Sequence, residues 1–76
     1  MDYIMVTFQY EDKKNADIKI PAFVKVEELT AMLKEALNIT AEYEGRLQAE
    51  PLGRILNGDM TLEEEGVYHG ALLTLI

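Results

Sequence analysis

The sequence predicts an α+β domain in which a mixed sheet of four to five strands carries one main helix packed on one face. Two observations predict it. Segments with the period-two pattern of strands lie near both ends of the chain, and one apolar stripe with the helical period lies between them. We expect residues 1–76 to form a single domain, because 76 residues are too few for two. One helix covers only one face of a sheet, so the other face should stay open for water or a partner.

The N-terminal segment predicts a hairpin of two strands. Residues 3–10 are rich in β-branched and aromatic types, and their even-numbered positions form an apolar face. Residues 11–15 are all polar and indicate the turn. Residues 16–20 alternate again, and Pro21 ends the second strand because it has no N–H for the ladder.

The central segment predicts the main helix. Glu27 and Glu28 fall in its first turn, where the helix dipole favours negative charge. Asn38 can adopt the left-handed conformation that closes a helix, and Ile39 can fold back onto it. The apolar residues that recur at helical spacing form the expected buried stripe: Val26, Leu29, Met32, Leu33, Ala36 and Leu37.

Turn signals divide the remainder of the chain into short elements. Residues 57–59, Asn-Gly-Asp, indicate a turn. Residues 61–64, Thr-Leu-Glu-Glu, fit a capping box at the start of a short helical turn, and Gly66 suits its end. Three short strands are expected at residues 46–50, 54–56 and 71–76.

The residue types present argue against catalysis. The chain contains no cysteine and no serine, so it has no disulfide, no thiolate metal site and neither of these nucleophiles. His69 is the only histidine and lies in a predicted turn. The consecutive carboxylates of residues 63–65 fan outward from a helical turn and cannot converge on one cation. We therefore expect no enzyme activity, no cofactor and no metal.

Charge and hydropathy narrow the class of partner. Fourteen acidic residues against seven basic ones give a net charge of −7, so contact with nucleic acid would begin from repulsion. No apolar run reaches the roughly 18 residues of a membrane span, and the start Met1-Asp2-Tyr3 lacks the basic character of a signal peptide. We expect a cytoplasmic protein that binds other proteins, without membrane insertion.

The second half of the chain resembles ubiquitin. Residues 52–62, Leu-Gly-Arg-Ile-Leu-Asn-Gly-Asp-Met-Thr-Leu, are similar to that family's Gly-Lys-x-Leu segment, acidic turn and Thr-Leu pair. Gly66-Val67, followed by a tight turn and residues 73–75, Leu-Thr-Leu, resembles the family's run into its last strand. With the hairpin and the helix added, the resemblance extends over essentially the whole chain. It implies the ubiquitin-like β-grasp fold.

Two departures from ubiquitin change the function that this resemblance implies. Conjugating modifiers and sulfur carriers end in a flexible Gly-Gly tail, whereas this sequence stops at Ile76 within the predicted last strand. The strand that carries ubiquitin's main apolar contact here turns Gln48 and Glu50 outward. The sequence therefore most resembles the YukD/EsaB family of small ubiquitin-like proteins of bacterial type VII secretion systems. That resemblance implies an accessory or regulatory role, with the secretion ATPase or membrane components as partners.

Strand parity predicts the interface. If the even positions of the first strand face the helix, its odd positions face the open side. If Leu73 and Leu75 of the last strand also face the helix, the even positions of that strand face the open side. The β-grasp order pairs these two strands at the sheet centre, so their outward residues can form one apolar patch for another protein or for a homodimer. Ordinary β propensity of central strands is the alternative explanation. The candidate interface residues are Tyr3, Met5, Leu72 and Ile76.

Other functions remain open on the sequence alone. A modifier or sulfur carrier would require a Gly-Gly tail beyond Ile76. The chain could also be a cytosolic domain excised from a type VII membrane component. A β-grasp interaction domain without any link to secretion is a further alternative.

Overall fold

A computed structural model describes residues 3–11, 14–39 and 45–76. The elements in chain order are β1 Tyr3–Tyr10, β2 Lys14–Pro21, α1 Val26–Ala36, β3 Leu47–Glu50, β4 Arg54–Ile55, α2 Leu62–Glu65 and β5 Leu72–Leu75. β2 begins at Lys14, within the turn predicted for residues 11–15, of which positions 12 and 13 lie outside the described residues.

The sheet is mixed and five-stranded, in the order β2-β1-β5-β3-β4. The central pair β1 and β5 is parallel, and every other neighbouring pair is antiparallel. Phe8 lies opposite Leu73 across the central pair, and both side chains are fully buried. The predicted α+β fold is confirmed, including the central position of the first and last strands.

The core lies between α1 and one face of the sheet. β1 supplies its even-numbered residues, and β3 and β5 supply Leu47, Ala49, Leu73 and Leu75. The helix contributes Val26, Leu29 and Leu33, and loop residues close the ends. The largest side chains that are less than 2% exposed are Phe8, Ile4, Leu29, Leu47, Leu62, Leu73 and Val26.

The buried face of α1 differs from the predicted stripe at two positions. Met32 is 51% exposed and Ala36 is also exposed, so the sequence prediction is wrong for both. Each helical residue turns the face by about 100°, which places these two on the flank of a stripe centred on Val26 and Leu33. Thr30 is buried instead, and its hydroxyl is satisfied by donating to the Val26 carbonyl at 2.8 Å.

The first turn of α1 is capped by a distant turn of the chain. No side chain caps this helix. The Val26 N–H donates to the Met60 carbonyl at 2.8 Å, and the Glu27 N–H donates to the Gly58 carbonyl at 3.0 Å. A Cβ at position 58 would lie only 3.3 Å from that of Glu27, which favours glycine there. The turn predicted at residues 57–59 and the residue that follows it thus satisfy two donors that a helix start leaves free.

The other helix ends follow the sequence predictions. Asn38 has a φ of 53°, and Ile39 is buried against the core after it. The Thr61 hydroxyl accepts from the Glu64 N–H at 3.0 Å, and the Thr61 N–H donates to the Glu64 carboxylate at the same distance. Gly66 ends α2 with a φ of 80°. These contacts confirm the capping box and both helix ends.

Candidate protein-interaction surface

No other described helix or strand covers the sheet face opposite α1. Its centre is polar, because the Thr7 hydroxyl donates to the Asp17 carboxylate at 2.8 Å. Its apolar residues lie towards the ends of the strands, with Tyr3 and Met5 exposed at the start of β1. The face therefore offers separate apolar regions and no uniform apolar plane.

The strand register brings three of the four candidate interface residues to one region. Leu72 lies directly opposite Thr7, so Met5 is its diagonal neighbour and Tyr3 lies two residues further along β1. Ile76 lies four residues beyond Leu72, or about 13 Å along the strand direction. Tyr3, Met5 and Leu72 thus share a region, and Ile76 lies apart from it. Whether these residues bind a partner stays a prediction.

Exposed apolar side chains concentrate at one end of the sheet, where β1 and β5 begin and β2 and β3 end. Among the described residues the exposed large hydrophobic ones are Tyr3, Met5, Phe23, Met32, Leu52, Ile55 and Tyr68. Met32 lies on the helix and Ile55 on β4. The other five lie on or beside the strand ends just named. We call Tyr3, Met5, Phe23, Leu52 and Tyr68 the sheet-end surface.

The loop of residues 66–71 is the centre of this surface. The Met5 N–H donates to His69 Nδ1 at 3.2 Å, and the Gly70 N–H donates to the Met5 carbonyl at 2.8 Å. These two bonds fix the loop to β1. His69 thus positions the loop.

Three shallow depressions surround this loop. The first has a volume of about 400 Å³ and is lined by Leu52, Tyr68 and neighbouring loop residues. The second lies between His69 and Met5, and the third between Tyr68 and Ala22, the neighbour of Phe23. The depressions place Leu52, Tyr68 and Met5 around the loop, whereas Tyr3 and Phe23 line none of the three.

Aromatic packing and acidic side chains complete the surface. The rings of Tyr3 and Phe23 make an edge-to-face contact with centroids 5.7 Å apart, and Lys19 Nζ lies 5.9 Å from the Tyr3 centroid. Acidic side chains line all three depressions: Glu50 the first, Asp17 the second and Glu63 the third. The region thus combines apolar side chains with a negative rim.

A larger depression, of about 660 Å³, lies elsewhere, between the start of α1 and residues 54–59. Arg54 in its wall bonds to Glu65 at 2.6 Å, and Asp59 pairs with Lys25 at 3.2 Å. The hydrogen bond from Lys25 to Asp59 holds the pKa of the lysine above its ordinary value. Two of the charged side chains that line this depression, Arg54 and Asp59, are therefore engaged by other side chains of the domain.

The Arg54–Glu65 pair predicts an acid-dependent contribution to stability. The Arg54 hydrogen bond lowers the pKa of Glu65 below its ordinary value of 4.5, and the Asn57 N–H lowers it further. A carboxylate with a depressed folded-state pKa adds stability above its unfolded pKa and loses it as pH falls through the folded pKa. Urea unfolding from about pH 7 to pH 3 should show wild type approaching a Glu65→Gln variant in free energy of unfolding. A constant difference across that range would contradict the assignment.

The described residues hold no metal-binding constellation. No group of three or more histidine, cysteine, aspartate or glutamate side chains within 3–11, 14–39 and 45–76 is arranged to hold a metal ion. In the same part of the chain, neither helix has the length and hydropathy that crossing a bilayer requires.

The sequence did not identify three members of the sheet-end surface. Phe23, Leu52 and Tyr68 lie in loops, where no period marks them as a face. Their only local signal is a large apolar side chain within two residues of a proline or glycine: Pro21, Pro51 and Gly70, respectively. Only the fold shows that these loops meet.

The sheet order with one main helix defines a ubiquitin-like β-grasp protein. A de novo design based on ubiquitin is 24% identical, with a TM-score of 0.76 over 99% of this chain and 88% of that chain. The ubiquitin of Caldiarchaeum subterraneum is 16% identical, with a TM-score of 0.71 over 97% of this chain and 91% of that chain. These similarities concern the fold alone.

Two further comparisons connect the chain with type VII secretion. The ubiquitin-like domain of the Mycobacterium tuberculosis type VII secretion system protein ECCD1 is 28% identical, with a TM-score of 0.66 over 100% of this chain and 99% of that chain. The family described as "WXG100 protein secretion system (Wss), protein YukD" matches residues 3–75. The chain belongs to the YukD family. No curated protein sequence matches it.

Proposed function

We propose that this chain is a non-enzymatic interaction module of a type VII secretion system. We further propose that it works in the cytoplasm as an accessory or regulatory component and docks on other components through the sheet-end surface. The observation that carries the proposal is the concentration of five exposed large hydrophobic side chains at one end of the sheet. Membership of the YukD family supplies the secretion context.

The sheet-end surface has the properties of a protein-binding site. A contiguous apolar region is uncommon on a soluble domain, and tyrosine, phenylalanine and methionine are enriched at interface centres. The loop at its centre is bonded to β1 through both the N–H and the carbonyl of Met5, so a partner meets a preformed surface. A rigid surface loses little conformational entropy on binding.

The charge of the surface indicates the chemistry of its partner. Asp17, Glu50 and Glu63 line its depressions, and the whole chain carries a net charge of −7. A complementary segment presents one or two large apolar side chains flanked by lysine or arginine. We propose such a segment on the secretion ATPase or on a membrane component of the same system.

A double variant tests the docking surface. Tyr68→Ala combined with Leu52→Ala removes both large side chains of the first depression. Removing such central side chains is expected to cost about 2 kcal/mol of binding free energy, which corresponds to roughly 30-fold weaker binding. The matched control is Met32→Ala, which removes a similarly exposed apolar side chain from the helix. The partner is first captured from a lysate of the source cell and identified. The purified partner is then titrated by calorimetry against the wild type, the double variant and Met32→Ala.

Two results would overturn the proposal. One is capture of no type VII secretion component. The other is equal affinity of wild type and the folded double variant for the captured component.

The similarity to ECCD1 favours one alternative. That structure is a domain of a secretion-system protein, and the alignment covers 99% of it. The present chain would then act as a cytosolic domain of a larger type VII component, and the same surface would dock within that component or on its neighbours. Immunoblotting of the source cell with an antibody to this domain distinguishes the two by the mass of the species detected.

A further inference from the structure

Strand β2 forms one edge of the sheet and is eight residues long. Only β1 pairs with it among the described strands. The opposite edge is β4, which has only two residues. An exposed edge strand presents backbone donors and acceptors to which another strand can bond.

Backbone parity shows which groups of β2 are free. The Thr7 N–H donates to the Ala71 carbonyl, and the Met5 carbonyl accepts from the Gly70 N–H, so the odd residues of β1 point their backbone groups towards β5. The even residues of β1 therefore bond to β2, and they pair with its even residues. The N–H and carbonyl groups of Asp17 and Lys19 consequently point away from β1, outward from the free edge of the sheet.

We propose that β2 pairs antiparallel with β2 of a second copy, about a two-fold axis at Ile18. In this register Asp17 lies opposite Lys19 of the second copy, and Lys19 lies opposite its Asp17. Both pairs are hydrogen-bonded positions with opposite charges facing each other, which stabilises an antiparallel pair. The sequence of β2 is thus complementary to itself.

Neighbouring registers lack this complementarity. An axis one residue earlier places Asp17 against Asp17, and one residue later places Lys19 against Lys19. Like charges directly opposite each other destabilise an antiparallel pair. Charge therefore selects the axis at Ile18 over the axes on either side of it.

The backbone bonds also fit this register. The two Asp17–Lys19 pairs exchange four hydrogen bonds, and the Asn15 N–H can donate to the Pro21 carbonyl of the second copy. Pro21 has no N–H and ends the pairing. The resulting ten-stranded sheet has β4 at both edges, so the assembly closes as a dimer and does not extend into a fibre.

The dimer should be weak in isolation, because one strand pair buries far less than a standard interface. We expect a dissociation constant between about 10 µM and 1 mM. Sedimentation equilibrium at protein concentrations up to about 2 mM covers this range. Failure of wild type to self-associate there overturns the proposal by itself.

Charge reversal tests the register. Asp17→Lys places lysine against lysine at both pairs, and Lys19→Asp places aspartate against aspartate, so each variant alone should self-associate at least tenfold more weakly. An equimolar mixture restores both opposite-charge pairs and should form a heterodimer with near wild-type affinity. The variant carrying both changes should recover the homodimer. Thermal melting checks that each variant is folded.

The mixing experiment separates this dimer from other modes of association. If the dissociation constant of self-association is the same for wild type and for both charge-reversal variants, the edge-strand dimer is overturned. A dimer that instead disappears with Leu72→Ser uses the open sheet face, and this also overturns the proposal. The dimer needs no secretion partner, so its failure leaves the proposed docking function untouched.

Discussion

Replacing Phe8 with alanine is expected to lower the free energy of unfolding by about 3–5 kcal/mol. Phe8 is fully buried, lies opposite Leu73 on β5, and stacks on Tyr10 with ring centroids 5.3 Å apart. Its loss leaves a cavity between the central strands and α1. Small domains have a total stability near the lower end of about 5–15 kcal/mol, so the variant should be close to unfolding at 37 °C. Urea unfolding monitored by circular dichroism measures the change.

The adjacent residue provides the control for this prediction. Gln9 lies on the same strand but faces the open side, and it is only partly buried. Gln9→Ala is expected to change the free energy of unfolding by less than about 1 kcal/mol. Equal losses for Phe8→Ala and Gln9→Ala would mean that the face of β1 is assigned incorrectly.

The second large effect is expected from Leu33→Ala, at about 2–5 kcal/mol. Leu33 is 8% exposed and packs in the core, whereas its neighbour Met32 is 51% exposed. Each kcal/mol lowers the melting temperature of a domain of this size by about 4–8 °C, so thermal melting resolves the change easily. Met32→Ala should shift the melting temperature by only a few degrees, because alanine is also the better helix former.

The pair of variants distinguishes two orientations of α1. The apolar stripe read from the sequence includes Met32, whereas the structure turns it towards water and buries Thr30. A loss for Met32→Ala as large as that for Leu33→Ala would favour the stripe predicted by the sequence and contradict the packing of the helix.

Features set by local chemistry were predictable from the sequence. The alternation of β1 identified its buried face, and Thr61 with Glu64 identified the capping box, because these signals act between residues close in sequence. The adjacency of the first and last strands followed from the strongly apolar composition of both and from the β-grasp order that the resemblance implies.

Features set by tertiary packing were less predictable. Thr30 was overlooked because a polar residue does not count in an apolar stripe, although its hydroxyl is satisfied within the helix. The sheet-end surface depends on three loops that meet only when the strands are in register, so Phe23, Leu52 and Tyr68 gave no joint signal. Ile76 was grouped with Tyr3 because parity fixes the face of a residue but not its position along the strand.

The position of β5 between β1 and β3 bears on how the chain folds as it leaves the ribosome. β1 has a neighbour on only one side until the last strand is synthesised, and the start of α1 lacks the carbonyls of Gly58 and Met60 until those residues emerge. The N-terminal half therefore has neither a complete sheet nor a capped helix during translation. Because these contacts join distant parts of the chain, the domain should acquire its structure in one late step, after residue 75 has cleared the exit tunnel.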